Sequence, residues 1–227
     1  ARADRDLMMN TVAPVWDGNE TWLVLGGAGL LAAFPLAYAV VLSALYLPII
    51  LMLVGLVFRG VAFEFRFKAS ERTLPLWDLG FIAGSVSATF FQGVVLGAYV
   101  GGFEVADGAY AGGAFDWLAP FPLFTGLGLV ATYALLGCTW LLMKTAGDLQ
   151  QRMRTLARPL AWVLLAVIGV VSVWTPLAHA EVAARWFGWP QMLWFAPVPL
   201  LVAAAMVALQ RSLRRGAQVA PFVLVLC

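Results

Sequence analysis

The stretch Thr21 to Phe58, TWLVLGGAGLLAAFPLAYAVVLSALYLPIILMLVGLVF, runs for 38 residues without a charged side chain. As a single helix at about 1.5 Å per residue it would measure roughly 57 Å, nearly twice the ~30 Å hydrocarbon thickness of a bilayer. The run must therefore cross twice and return to the side it left. Two groups of charges consequently share one side. One precedes the run in Trp16-Asp17-Gly18-Asn19-Glu20-Thr21-Trp22, and the other follows it as Arg59, Glu64, Arg66 and Lys68.

The rest of the chain agrees with a membrane protein. Of 227 residues, 63% are hydrophobic and 11% charged, with a mean hydropathy of +0.89, more apolar surface than a soluble fold of this length could hide. The net charge of +2 is too small and too evenly spread over the loops for a nucleic-acid surface. Cys138 and Cys227 form neither a metal-ligand spacing nor a disulfide framework. Because Ala1 is not an initiator methionine and the final apolar stretch, Ala217 to Cys227, is too short to span, the sequence is expected to be an internal fragment.

Further uncharged runs cover Leu79 to Phe103, Trp117 to Met143, Pro159 to Ala178 and Trp186 to Gln210, each long enough for one crossing. The expectation is an all-α polytopic transmembrane bundle, one integral-membrane domain over 1–227, with six complete spans and the start of a seventh. Pro120, Pro122, Pro159 and Pro190 fall near span starts, whereas Pro35, Pro48, Pro197 and Pro199 lie inside spans and should bend or break them. With the N-terminal segment inside, thirteen of the fourteen basic residues fall on inner segments and only Arg185 falls outside. That distribution obeys the positive-inside rule. The loop after the third span, with Glu104, Asp107 and Asp116, reads as acidic, solvated and external. Trp117, Trp186 and Trp189 read as outer interface anchors and Trp16, Trp22 and Trp77 as inner ones.

In the third span, Gly80 and Gly84 form one small-residue pair, and Gly93, Gly97 and Gly101 a ladder about half a helical turn away, so close packing on both faces is expected. Gln92 near its middle suits a bond to a neighbouring helix. Asp17 and Glu20, three residues apart, have two readings. They can form a capping box, or a partly desolvated carboxyl at the membrane edge can take up and release protons near neutral pH. Glu64 and Lys68, one turn apart, would by default form an i,i+4 ion pair. His179 is the only histidine, so the chain cannot supply paired imidazoles to a haem.

The segments Trp16-Asp17-Gly18-Asn19-Glu20-Thr21-Trp22-Leu23-Val24, Phe34-Pro35-Leu36-Ala37-Tyr38 and Phe58-Arg59-Gly60-Val61-Ala62-Phe63-Glu64-Phe65-Arg66 closely resemble subunit II of the cytochrome bd family of quinol oxidases. Gly137-Cys138-Thr139-Trp140, Lys144-Thr145 and Trp194-Phe195-Ala196-Pro197 are similar to its later helices, especially in the cyanide-insensitive branch. Against the nine-helix pattern of that subunit, the first helix, the end of the eighth and the ninth are expected to be missing. The resemblance implies a heterodimeric respiratory oxidase of the bacterial cytoplasmic (inner) membrane that oxidises quinol and reduces oxygen to water. Haem b and haem d would sit in the partner, subunit I, and none on this chain. A bound quinone and a small accessory subunit are compatible additions. By motif, Asp17 matches an internal carboxylate of a cytoplasmic proton-uptake route and Glu64 and Lys68 its charged entrance. The position of Glu64 is aspartate in some members, which keeps a titratable group. Asn19 and Glu20 would support the carboxylate.

The rival reading is a proton-coupled secondary transporter with broken helices around a midplane carboxylate, for which Pro35 and Pro197 supply candidate breaks. Against it, no repeat of polar residues surrounds two equivalent breaks, and the carboxylates cluster at the inner edge.

Overall fold

The computed structural model describes residues 2–226, so Ala1 and Cys227 lie outside the described residues. In chain order the elements are α1 (Arg2–Val12), α2 (Trp16–Ala33), α3 (Pro35–Arg66), α4 (Leu74–Gly101), β1 (Val105–Ala106), β2 (Ala109–Tyr110), a 3₁₀ turn (Asp116–Leu118), α5 (Pro120–Lys144), α6 (Gly147–Ala178), α7 (Ala180–Phe187), α8 (Met192–Phe195), α9 (Pro197–Arg214) and α10 (Ala220–Leu226). The fold is an all-α polytopic membrane bundle. Large apolar side chains such as Val57, Phe58, Leu200 and Leu201 stand exposed, which hydrocarbon tolerates and water does not. Contacts divide the chain into two compact units, Ala1–Val130 and Ala131–Cys227.

In the first unit the 38-residue run does break in two, at Phe34–Pro35. Proline disfavours the helical region for the residue before it, and Phe34 leaves the helix at φ −137° and ψ 63° while its N–H closes α2 on Leu30 O. Pro35 then opens α3 in the first turn, where a missing N–H costs least. Pro48 lies within α3, which continues through it. Five segments are long and apolar enough to cross a membrane: α3, α4, α5, α6 and Met192–Arg214. The sixth expected span, α2, has 18 residues and carries Asp17, Asn19 and Glu20 in its first two turns, so it falls outside that set.

Helices α3 and α4 run antiparallel and nearly touch at their backbones. A Cβ built on Gly84 would stand 2.6 Å from Gly55 O and 2.7 Å from Arg59 N, and one on Gly55 would stand 2.8 Å from Ala88 N. On its other face α4 meets α5, where a Cβ on Gly93 would stand 2.7 Å from Gly126 Cα, and Thr125 Oγ1 donates to Gly93 O at 2.9 Å. The expected two-faced packing is present, but Gly101 has open space around it and does not take part.

Further along α3 and α4, Ala44, Leu45, Val94 and Ala98 form a core with Trp117. Trp117 is therefore not an outer interface anchor. It is buried against Phe91, and its indole N–H donates to Ala114 O at 3.0 Å. A buried ring with its one donor satisfied inside has no reason to seek headgroups.

The second unit holds Leu135, Leu142, Ala157, Ala161, Leu209 and Leu213 in its interior. Helix α6 starts twelve residues earlier than the apolar run Pro159–Ala178, so Pro159 sits inside the helix and not at a start. The polar first third, with Asp148, Arg152, Arg154 and Arg158, is ordinary helix that precedes the apolar part. Gln150 Nε2 donates to Leu142 O at 2.9 Å and Thr145 O at 2.7 Å, satisfying carbonyls that the end of α5 leaves free. The run Trp186 to Gln210 is not one helix. It is divided among α7, α8 and α9, with the last break at Ala196–Pro197.

Candidate functional site

The charged end of the α2–α3 hairpin gathers most of the polar residues that the sequence singles out. Val15, not Asp17, occupies the N-cap of α2, and no side chain caps this helix. The capping-box reading thus fails, because the helix starts one residue before Asp17 and leaves the carboxylate inside its first turn. There Asp17 is exposed and favourably placed against the positive end of the helix dipole.

Glu20, one turn on, bonds across the hairpin: its Oε1 accepts from Arg59 Nη2 at 2.6 Å and Nε at 3.2 Å. Both partners are about one quarter exposed. Trp16 packs its ring on Phe63 at a centroid distance of 5.1 Å and lies over Gly60. Between these groups lies a cavity of about 170 Å³ lined by Val12, Val15, Trp16, Asn19, Arg59, Phe63 and Phe81. It has space for several waters at ~30 Å³ each, and Asn19 and Arg59 are the polar groups on its wall.

A second cluster, which sequence reasoning missed, ties α1 to the α3–α4 connection. Arg66, almost fully buried, donates from Nε to Asp78 Oδ1 at 2.6 Å, and Arg5 Nη1 donates to Asp78 Oδ2 at 2.6 Å. Arg66 Nη2 lies 2.7 Å from Asp6 Oδ1 but out of line for a hydrogen bond, so that contact is an ion pair only. Arg2 adds a looser pair to Glu71 at 3.1 Å. The signal in the sequence is the position of Asp78. The uncharged run begins only at Leu79, whereas α4 begins at Leu74 and carries Asp78 into the helix, opposite the end of α3.

Glu64 and Lys68 are both exposed, and among the described residues no ion pair joins them. The expected i,i+4 geometry is lost because α3 ends at Arg66, leaving Lys68 in the turn that follows. Asp17, Asn19 and Glu20 therefore share the start of α2 with Arg59 opposite, while Glu64 and Lys68 lie further along, at the end of α3.

The acidic loop at the other end of this unit is more ordered than a solvated loop. Asp107 and Gly108, at φ 51° and 76°, turn a two-residue hairpin that pairs Val105 with Tyr110. Asp116 accepts from the Tyr110 hydroxyl at 2.7 Å and from Gly113 N at 2.8 Å, and these bonds hold its carboxyl below the usual range. Burial, followed by the bond to Asp116 and its charge, pushes the Tyr110 phenol up to about 12. Among the described residues no group of three or more His, Cys, Asp and Glu side chains is placed to hold a metal ion.

The family profile described as cytochrome bd terminal oxidase subunit II matches residues 1–227. Cytochrome bd-I ubiquinol oxidase subunit 2 of Escherichia coli (strain K12) is 38% identical over 177 residues, which cover 75% of this chain and 47% of that protein. A probable cytochrome oxidase subunit 2 of Haemophilus influenzae is 35% identical over 177 residues, covering 75% of this chain and 47% of that protein. Cytochrome bd ubiquinol oxidase subunit 2 of Bacillus subtilis (strain 168) is 33% identical over 183 residues, covering 80% and 52%. The chain spans about half the length of the curated relatives it matches. With the apolar run broken into α2 and α3, the charged hairpin end and a family match from the first residue to the last, the chain belongs to the cytochrome bd terminal oxidase subunit II family.

Proposed function

We propose that this chain belongs to the second subunit of a quinol:oxygen oxidoreductase of the bacterial inner membrane, and that the charged end of its α2–α3 hairpin takes up protons for oxygen reduction. The relatives bear the names of ubiquinol oxidase subunits. A subunit numbered two implies a first, and the reading assigns haem b and haem d to that partner, since His179 is the single imidazole here. Quinol and oxygen then belong to the complex, and this chain carries no reacting centre of its own.

The observation that supports the proton route best is the state of Asp17. It is an exposed carboxylate that does not cap its helix and, among the described residues, enters no ion pair. It lies one turn from the Glu20–Arg59 pair, whose arginine lines the 170 Å³ cavity. A carboxylate with no cap bond and no ion pair can change its protonation at small cost to the fold. Glu64 and Lys68, exposed at the end of α3, fit an entrance, with Asn19 and Glu20 in support.

The test is substitution in the complete, assembled oxidase. Asp17→Asn keeps the size and hydrogen-bonding capacity of the side chain but cannot titrate. It is expected to leave haem content unchanged and to slow turnover and coupled proton uptake about tenfold or more, while Asp17→Glu retains most activity. Near-wild-type proton uptake in a fully assembled Asn variant would remove Asp17 from the route.

A further inference from the structure

Helix α1 is fastened to the rest of its unit by side chains at both ends. Toward its start, Arg2, Arg5 and Asp6 pair with Glu71, Asp78 and Arg66, at the α3–α4 connection and the helix ends that flank it. Toward its end, Met9 is buried and Val12 forms one wall of the 170 Å³ cavity beside Arg59. Residues 13–15 then lead into α2, and Pro14 among them has no N–H to give. The backbone bonds of this turn are local: Ala13 N donates to Met9 O at 3.1 Å and Val15 N to Val12 O at 3.0 Å.

The charge pairs of α1 are lopsided. Arg5 and Asp6 are 59% and 45% exposed, whereas their partners Asp78 and Arg66 are 11% and 3% exposed. The two buried partners also hold each other, Arg66 Nε donating to Asp78 Oδ1 at 2.6 Å. If α1 lifts away, neither buried charge is stranded. Asp78 keeps Arg66, and the contact of Arg66 Nη2 with Asp6 has no hydrogen bond to lose. The charges on α1 meanwhile enter water that already reaches them. Parting a charge pair is expensive where it strands a buried partner and cheap where it does not. Departure of α1 would also take away the Val12 wall and open the cavity.

We propose that α1 is a hinged cover, closed by the Arg5–Asp78 and Asp6–Arg66 pairs and pivoting at residues 13–15, that controls the entry of water and small polar solutes to the cavity beside Arg59. Opening is a local event, and the backbone packing of α3 on α4 stays intact. Each half-exposed pair favours the closed state about two- to fivefold. Salt weakens that hold, because the Debye length falls from about 10 Å at 0.1 M to about 3 Å at 1 M. The cover borders the same cavity as the proposed proton route, but its opening is read without turnover, so the two stand or fall separately.

Hydrogen exchange in the complete, assembled oxidase, followed by mass spectrometry, is the first test. Combining Arg5→Gln with Asp6→Asn should speed exchange of residues 2–15 about tenfold and leave residues 59–66 and 74–84 unchanged, while Arg5→Lys stays closed. Raising sodium chloride from about 0.1 to about 1 M should give part of that acceleration in the unsubstituted complex and none in the double variant. The second test places a reporter on the cavity wall. Phe81→Cys, with other accessible cysteines changed to serine, should react about tenfold faster with methyl methanethiosulfonate, a small uncharged thiol reagent, when the two pairs are removed. Three results would overturn the proposal: equal reaction rates at Phe81→Cys with and without the pairs, loosening of residues 59–66 and 74–84 together with α1, or no salt response in residues 2–15. The last is read on the unsubstituted complex and holds whether or not the variants assemble.

Discussion

The two compact units use opposite means to hold helices together. In Ala1–Val130 the contacts are backbone to backbone and charge to charge. Gly55 and Gly84 let α3 and α4 approach until no Cβ would fit, and Arg66, Asp78, Arg5 and Asp6 lock the connected ends. In Ala131–Cys227 the interior is built from side chains such as Leu135, Leu142, Leu209 and Leu213, and Gly169 has nothing within 4 Å of where a Cβ would go. Lipid tails are as apolar as leucine, so burying apolar surface gives no drive to pack in a bilayer, and close packing must come from small residues or polar bonds. The first unit has both. Among the described residues the second has side-chain-to-backbone bonds, Gln210 to Arg158 O and Arg154 to Gly216 O, and no backbone contact between helices as close as that of Gly55 and Gly84.

The largest test of that contrast is Arg66→Ala. Removing Arg66 leaves Asp78 with Arg5 as its remaining partner, and the loss of a buried, charged hydrogen bond should destabilise the complex by about 1.5–3 kcal/mol in denaturant titrations in detergent. A loss under about 1 kcal/mol would mean that the cluster is solvated and does not lock the first unit. Next comes the pair of glycine substitutions. Gly84→Ala must push α3 and α4 apart and should cost about 1–3 kcal/mol, while Gly169→Ala should be neutral or slightly stabilising, since alanine is the better helix former. Equal effects at the two glycines would erase the distinction between the units.

A smaller effect is expected across the hairpin. A double-mutant cycle of Glu20→Gln and Arg59→Gln should show a coupling of about 0.5–1 kcal/mol, as befits a pair that is partly exposed. The smallest effect concerns Tyr110. Its phenol is held neutral in the folded protein up to about 12 against an ordinary value of 10.0, so its contribution to stability is complete below 10.0 and is lost as the pH climbs through about 12. Ultraviolet difference spectra should show one tyrosine ionising late, and Tyr110→Phe should remove that phase.

Much of this is legible in the residue pattern because length and charge constrain a membrane chain severely. A 38-residue uncharged run is far longer than one crossing needs, and Pro35 marks where it breaks into two helices. The glycine spacing in α4 likewise announces two packed faces. Helix ends are the weak point. Charge serves as a boundary marker in the sequence, yet a helix passes through charged residues where they can reach headgroups or one another. Hence α6 begins at Gly147 and α4 at Leu74, ahead of their apolar runs. The same effect hides the Arg66–Asp78 pair and misleads at Glu64 and Lys68, whose alignment would need a helix continuing past Arg66. The Asp17–Glu20 spacing fits a capping box equally well on paper, and only the start of α2 decides against it. Trp117 is misread because an aromatic ring near a span end can face headgroups or the core, and only packing decides which.

Helix α3 has 32 residues and a length of about 48 Å, some 18 Å more than the hydrocarbon layer it crosses. Its surplus falls on the side carrying Arg59, Glu64 and Arg66, so these charges stand at the depth where membrane thickness varies from one lipid composition to another. Longer acyl tails would draw Arg59 and Glu20 toward the hydrocarbon edge, and shorter ones would release them into the headgroup water. The pair would then mark depth, with tail length setting how strongly the hairpin end is hydrated.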